Sequence, residues 1–242
     1  MFPGVADMLP VSATGPQECL LIMALDFRSQ VFEGMARVPS YSSWLLRCDM
    51  VPAYRYHRRV LKLLQWRCPP ERWWLKSPAH MHSIDALSAT YPDARFVMTH
   101  RDVGKVLPSV CAVYDALSNI LTERPDPIAI GTHNVAVWRC ALERLIDFRD
   151  RGNEHRFHDL SFAAVQRDPM GQVARLYDEL GDDLGDDARR RMQDWWAASA
   201  NQRSGRQSHP AEKFGLDTAA IREQFAFYHD RYDVPIESPV AS

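Results

Sequence analysis

An α/β protein with a parallel sheet flanked by helices is the fold class this sequence predicts, on three observations. Short apolar runs alternate with longer stretches of helical period, the arrangement that builds parallel sheets. Each run ends in polar residues able to do chemistry, and ligands gather at the carboxyl ends of strands in such sheets. Sixteen prolines punctuate the helical stretches, so the helices are sharply ended. The predicted strands are 72–76, 95–100 and 155–160, which places Lys76-Ser77, His100-Arg101 and His158-Asp159 on one rim.

The elements follow in order. Pro16-Gln17-Glu18 opens an amphipathic helix in which Leu20, Leu21, Ala24, Leu25, Phe27, Val31 and Phe32 recur at helical spacing. A second helix starts with Pro52 as its first residue and runs to Trp66, where Cys68-Pro69-Pro70 stops it. Arg72-Trp73-Trp74-Leu75-Lys76 is a short apolar run ending in a cation, and Ser77-Pro78 begins a helix through Met81, Ile84, Leu87 and Ala89. After the turn Tyr91-Pro92-Asp93-Ala94, Arg95 to His100 is the best strand candidate. Helices follow over about 106–122 and 128–151, the second closing at Gly152-Asn153. The third strand precedes a helix led by Asp168-Pro169 and ended by Gly181. A charged helix over 186–200, a polar loop, and a last helix over 217–232 complete the chain.

The whole of 1–242 is expected to form one domain, and 46% apolar and 25% charged residues suit an ordinary globular protein. Balanced charge, 29 Lys+Arg against 31 Asp+Glu, argues against nucleic acid or an anionic membrane as partner. No apolar run approaches the roughly 20 residues of a spanning helix. The first 30 residues lack a basic signal-peptide start. Five scattered cysteines, none in CxxC spacing, read as reduced thiols of a cytoplasmic protein. The nine histidines include no HExxH, and no metal site is expected.

Two segments point to anion chemistry. In Thr99-His100-Arg101-Asp102, Arg101 leaves a strand end with a planar fork suited to phosphate. Should Pro108 open the following helix, Ser109 stands in its first turn, where hydroxyl and free N–H groups make an anion pocket. Should the helix start nearer Val103, Ser109 sits two turns along. Alternatively Arg101 pairs with Asp93 or Asp102 and Ser109 only caps. In Trp74-Leu75-Lys76-Ser77-Pro78-Ala79-His80, Lys76 is placed as an anion clamp and His80 as a general base. The alternative is a solvated lysine and a surface histidine.

Together these residues resemble a bacterial sulfotransferase. The resemblance rests on Leu75-Lys76-Ser77-Pro78-x-His80, Tyr91-Pro92-Asp93-Ala94-Arg95-Phe96-Val97, and Thr99-His100-Arg101-Asp102 with Ser109 eight residues after the arginine. Phe157-His158-Asp159-Leu160 with Asp168-Pro169 is similar to the family's Y-x-D-L…D-P segment, and Lys213-Phe214-Gly215-Leu216 also matches. The resemblance implies a nucleotide-kinase-like fold of the P-loop type, with 3′-phosphoadenosine 5′-phosphosulfate as sulfuryl donor and a small-molecule, lipid or sugar hydroxyl as acceptor. It implies that Arg101 and Ser109 hold the donor's 3′-phosphate, that Lys76 lies near the bridging oxygen of the transferring group, and that His80 is the base. His158 stands where the family has Tyr, and Arg203-Ser204-Gly205 where it has a basic loop.

The family's opening strand and R-S-G-T-T-type loop, which cradles the 5′-phosphosulfate, find no match before residue 16. Either Met1 lies downstream of the true start or the gene product is truncated. The expectation is that this chain lacks the first strand and half of the donor site, is inactive or badly impaired and poorly soluble or oligomeric, and that an extended form is active. The other function classes are a non-catalytic remnant of the fold that binds a nucleotide or a protein partner, and an unrelated nucleotide kinase.

Overall fold

The computed structural model describes residues 15–68, 72–121, 124–199 and 210–237. In chain order the elements are α1 (Cys19–Ala24), α2 (Val31–Met35), α3 (Pro39–Leu45), α4 (Val51–Gln65), a 3-10 turn (Pro78–Ser83) and α5 (Ile84–Thr90). Then come β1 (Phe96–His100), α6 (Val103–Leu121), α7 (Pro127–Phe148), β2 (Phe157–Ser161), α8 (Phe162–Arg167) and α9 (Pro169–Leu180). The last are α10 (Asp186–Ala198), a 3-10 turn (Ala211–Phe214), α11 (Thr218–Gln224) and α12 (Ala226–Tyr232). They form two compact units. The first comprises Met1–Ala94, Val110–Glu154 and Glu212–Leu216, the second Arg95–Ser109, His155–Ala211 and Asp217–Ser242.

The first unit is helical, and α7 is its spine. Asn134, Val137, Trp138, Ala141, Leu142, Leu145 and Phe148 recur every three or four residues and are all buried, as one face of a 3.6-residue helix must be. Asn134 stays buried at no loss, because it donates to the Ile130 carbonyl at 3.0 Å and accepts from Trp138 Nε1 at 3.1 Å. The α4 helix buries Ala53, Tyr54, His57 and Leu61 at the same period. Lys213-Phe214-Gly215-Leu216 docks on this unit for geometric reasons. Gly215 has φ of +65°, and a Cβ on Gly131 would lie 2.0 Å from the Phe214 carbonyl, so only glycine lets α7 approach. Lys213 anchors the segment to Asp115 at 2.7 Å.

The second unit holds the sheet. β1 and β2 pair in parallel, with Phe96 opposite Phe157 and His100 opposite Ser161. Leu160 of β2 packs with Leu176 and Leu180 of α9 and with Val165. Ser161 caps α8 through Ala164 N, Asp168 caps α9 through Gly171 N at 2.9 Å, and Gly181 ends α9 at φ of +70°. Asp168 and Gly181 are the boundaries the motif residues predict, whereas α8 and its Ser161 cap are not foreseen.

Several expectations change. Residues 72–76 are not a strand. The Lys76 carbonyl instead accepts from Cys19 N at 3.0 Å, which ties the segment to α1 rather than to a ladder. The helix predicted across 16–32 breaks after Ala24, where Phe27 adopts φ of +54° and Ser29 Oγ donates to the Leu20 carbonyl. The last helix bends at Phe225, and the Ser77-Pro78 helix begins as a 3-10 turn. His158 and Asp159 face Val97 and Met98, within the ladder rather than at its rim. Trp195 of α10 is exposed. Arg203-Ser204-Gly205 lies outside the described residues.

Candidate functional site

In the second unit, β1 delivers three consecutive side chains to one cluster. His100 is buried, hydrogen bonded through Nε2 to Asp159 Oδ1 at 2.8 Å and through Nδ1 to Tyr228 Oη at 3.2 Å, and stacked on Tyr232 with ring centroids 4.3 Å apart. Arg101 grips Glu237 with both arms of its fork: Nε donates to Oε1 at 2.7 Å and Nη2 to Oε2 at 3.0 Å. The Arg101 guanidinium lies over the Phe162 ring, 4.1 Å from its centroid. Asp102 is wholly buried. It accepts from Arg222 Nε at 3.1 Å, Arg222 Nη2 at 2.7 Å, Gly104 N at 2.9 Å and Glu237 N at 2.9 Å. Burial opposes ionisation of Asp102, but the Arg222 guanidinium and the two N–H donors outweigh it and hold the carboxyl below the usual range.

Neither sequence alternative for Arg101 holds, since its carboxylate partner is Glu237 and Asp102 is taken by Arg222. Helix α6 starts at Val103 and carries Pro108 inside it, so Ser109 stands on its exposed side in the second turn. No hydrogen bond joins Arg101 to Ser109 among the described residues.

In the first unit Lys76 is exposed and ion-paired with Glu18. Ser77 caps the 3-10 turn through Ala79 N at 3.3 Å, and the turn sets His80 against α4. His80 Nδ1 lies 2.9 Å from the hydroxyl of fully buried Tyr54. Burial, with the nearby His57 as a lesser cause, pulls the His80 imidazole down to about 3, so it is neutral at pH 7. His80 is therefore no surface histidine. Sequence reading missed Tyr54 and Glu237, because one reads as helix core and the other as a tail residue. Both become visible only as partners.

The family model described as the Sulfotransferase family matches residues 4–187, so the chain belongs to the sulfotransferase family. Among relatives, an omega-hydroxy-beta-dihydromenaquinone-9 sulfotransferase of Mycobacterium tuberculosis is 32% identical over 113 residues, which are 46% of this chain and 29% of that protein. A crystal structure of a sulfotransferase from Mycobacterium avium superposes with a TM-score of 0.85 at 29% identity, covering 93% of this chain and 58% of that one. A sulfotransferase structure from Mycobacterium tuberculosis gives 0.78 at 32% identity, covering 90% and 56%. The chain thus spans less than two thirds of the proteins it resembles.

Among the described residues, no helix is long and apolar enough to cross a membrane, and no cluster of three metal-ligating side chains occurs.

Proposed function

We propose that this chain serves sulfuryl transfer from 3′-phosphoadenosine 5′-phosphosulfate to the hydroxyl of an apolar, lipid-like acceptor. The observation that carries the reading is Arg101. A rigid guanidinium at the carboxyl end of a parallel strand already holds a two-oxygen anion through two parallel hydrogen bonds, and a phosphate presents the same face. Arg101 is assigned the 3′-phosphate of the donor, with Ser109 as its hydroxyl partner from α6. Lys76 is assigned the bridging oxygen of the transferring group, and His80 the neighbourhood of the acceptor oxygen. The name of the Mycobacterium tuberculosis relative, whose acceptor is a dihydromenaquinone derivative, supports a lipid-like acceptor. So does the row of rings Phe27, Phe32, Tyr41 and Trp44 in the first unit, whose successive centroids lie 5.5–5.8 Å apart and whose end members are exposed.

Calorimetric titration with adenosine 3′,5′-bisphosphate tests the Arg101 assignment with two variants of opposite sign. Arg101→Ala should weaken binding by on the order of 1.5–3 kcal/mol, the scale of hydrogen bonds to a charged group. Glu237→Gln should tighten it, because the carboxylate that competes for the fork is gone. Equal affinities for the parent and Arg101→Ala would refute the phosphate role. A separate kinetic test addresses Lys76. A cation beside an oxygen where charge develops acts on the transition state, so Lys76→Ala should lower kcat for labelled-sulfate transfer more than it alters donor affinity. The reverse split would make Lys76 a ground-state binding residue.

A further inference from the structure

Tyr54 lies on α4 with its side chain sealed in the core, 1% exposed. A phenol buried in this way carries its proton, since burial pushes its pKa far above the ordinary range. That proton needs an acceptor. Among the described residues, the hydroxyl has a single hydrogen-bond partner, Nδ1 of His80 at 2.9 Å, with the two rings 5.6 Å apart. If Nδ1 carried the imidazole proton, it would donate to Oη and the buried phenol proton would be left without an acceptor. Oη–H therefore donates to Nδ1, and the one proton of a neutral imidazole resides on Nε2.

The other ring nitrogen is differently placed from those of its neighbours. Nε2 of His57 and Nδ1 of His82 are buried with no hydrogen-bond partner. Nε2 of His80 has no hydrogen-bond partner among the described residues either, but it is not among these sealed nitrogens. The backbone fixes the ring from the other side. Ser77 caps the 3-10 turn, and His80 N donates to the Ser77 carbonyl at 3.3 Å.

We infer that Tyr54 is a positioning residue that locks His80 in the Nε2–H tautomer, so that this histidine meets the reacting group as a neutral hydrogen-bond donor rather than as a proton acceptor. The role rests on the functional reading above; the tautomer does not. A neutral N–H aimed at an oxygen that gains charge during transfer stabilises that charge without a change of protonation state. The low basicity of the ring, pulled down to about 3 by burial, agrees with a donor and disagrees with a base poised near neutral pH. In the transfer itself, the acceptor oxygen forms its bond to sulfur as the sulfur–oxygen bond to the phosphate breaks. The bonding electrons leave with the phosphate oxygen, which takes the hydroxyl proton.

Long-range proton–nitrogen correlation NMR on the nitrogen-15-labelled protein tests the assignment, with the His80 ring identified by its loss in His80→Gln. The expected parent spectrum shows a neutral His80 protonated at Nε2 and unchanged from pH 8 to pH 5. A ring protonated at Nδ1, or one titrating near pH 6.5, would overturn the inference. This measurement needs neither substrate nor activity, so it stands or falls apart from the transferase reading. In Tyr54→Phe the Nδ1 acceptor is left open, and His80 should become a mixture of both tautomers. Labelled-sulfate transfer supplies the functional arm. Tyr54→Phe should lower kcat by roughly 10- to 100-fold, the scale of a misplaced catalytic group, with donor KM unchanged. A kcat equal to the parent's, alongside an altered tautomer, would remove His80 from the reaction.

Discussion

Lowering the pH from 7 toward 5 should destabilise the first unit steeply. His57 and His82 are buried there, and burial pulls His57 down to about 4 and His82 to about 3, with the Arg144 charge a second cause at His82. In the unfolded chain the same rings take up a proton near pH 6.5. Between about pH 6.5 and pH 4 the unfolded state therefore binds more protons than the folded state, and stability falls as pH falls. Each ring contributes up to about 1.4 kcal/mol per pH unit in that window, so these two together with His80, which burial also pulls down to about 3, remove up to about 4 kcal/mol per unit. Against a total stability of roughly 5–15 kcal/mol, that removes a large share of it by pH 5. Urea midpoints measured from pH 7.5 to 4.5 check the slope, and His82→Gln should flatten it by about a third. A midpoint independent of pH across this range would show that these rings are solvated.

The second large effect belongs to Asp102. Its carboxylate is buried beneath Arg222 and takes four hydrogen bonds, two of them from the backbone of Gly104 and Glu237. Removing one partner of a buried pair leaves the other charge uncompensated, at a cost of about 3–5 kcal/mol. Asp102→Ala should therefore lose most of that amount in urea unfolding, and Arg222→Ala somewhat less, because the two backbone donors remain on Asp102. A double variant that loses much less than the sum of the singles would identify the pair as the coupled unit. The folded-state pKa of Asp102 is depressed, so its own contribution persists at neutral pH and is lost only below the ordinary carboxylate range. That window meets only the acid end of the one set by the histidines. A loss under about 1 kcal/mol for Asp102→Ala would place the cluster among exposed ion pairs.

Asp102 also explains how Arg101 beside it is presented. The fork of Arg101 meets the Glu237 side chain, while the Glu237 backbone is held by Asp102 through its N–H and by Arg222 through its carbonyl at 3.3 Å. The same chain segment therefore satisfies Asp102 and occupies Arg101. The Glu237 side chain fills the fork, while its backbone is anchored separately.

Much of this was legible in the residues. The strand over Phe96–His100, the helix caps at Asp168 and Asp217, and the stop at Gly181 all follow from local signals. Caps and helical period are short-range properties, decided by groups within four residues of one another. Membership of the sulfotransferase family was also legible, since motif order and spacing survive in the sequence whatever the packing does.

Pairings were not legible. Residues 72–76 have the composition of a strand, yet a strand exists only where a neighbouring backbone offers its hydrogen bonds, and here Cys19 takes the Lys76 carbonyl. The partner of Arg101 lies 136 residues away, that of Asp102 lies 120 away, and Tyr54 is 26 residues from His80. Composition and spacing placed Arg101, Lys76 and His80 among the chemistry-bearing residues. Which carboxylate fills the fork, and which nitrogen of His80 carries its proton, depend on groups brought together by burial of apolar faces, and only the tertiary structure decides them. Burial is collective: the energy that seats Tyr54 under His80 comes from the whole apolar face of α4, and no local pattern in the chain encodes where that face will land.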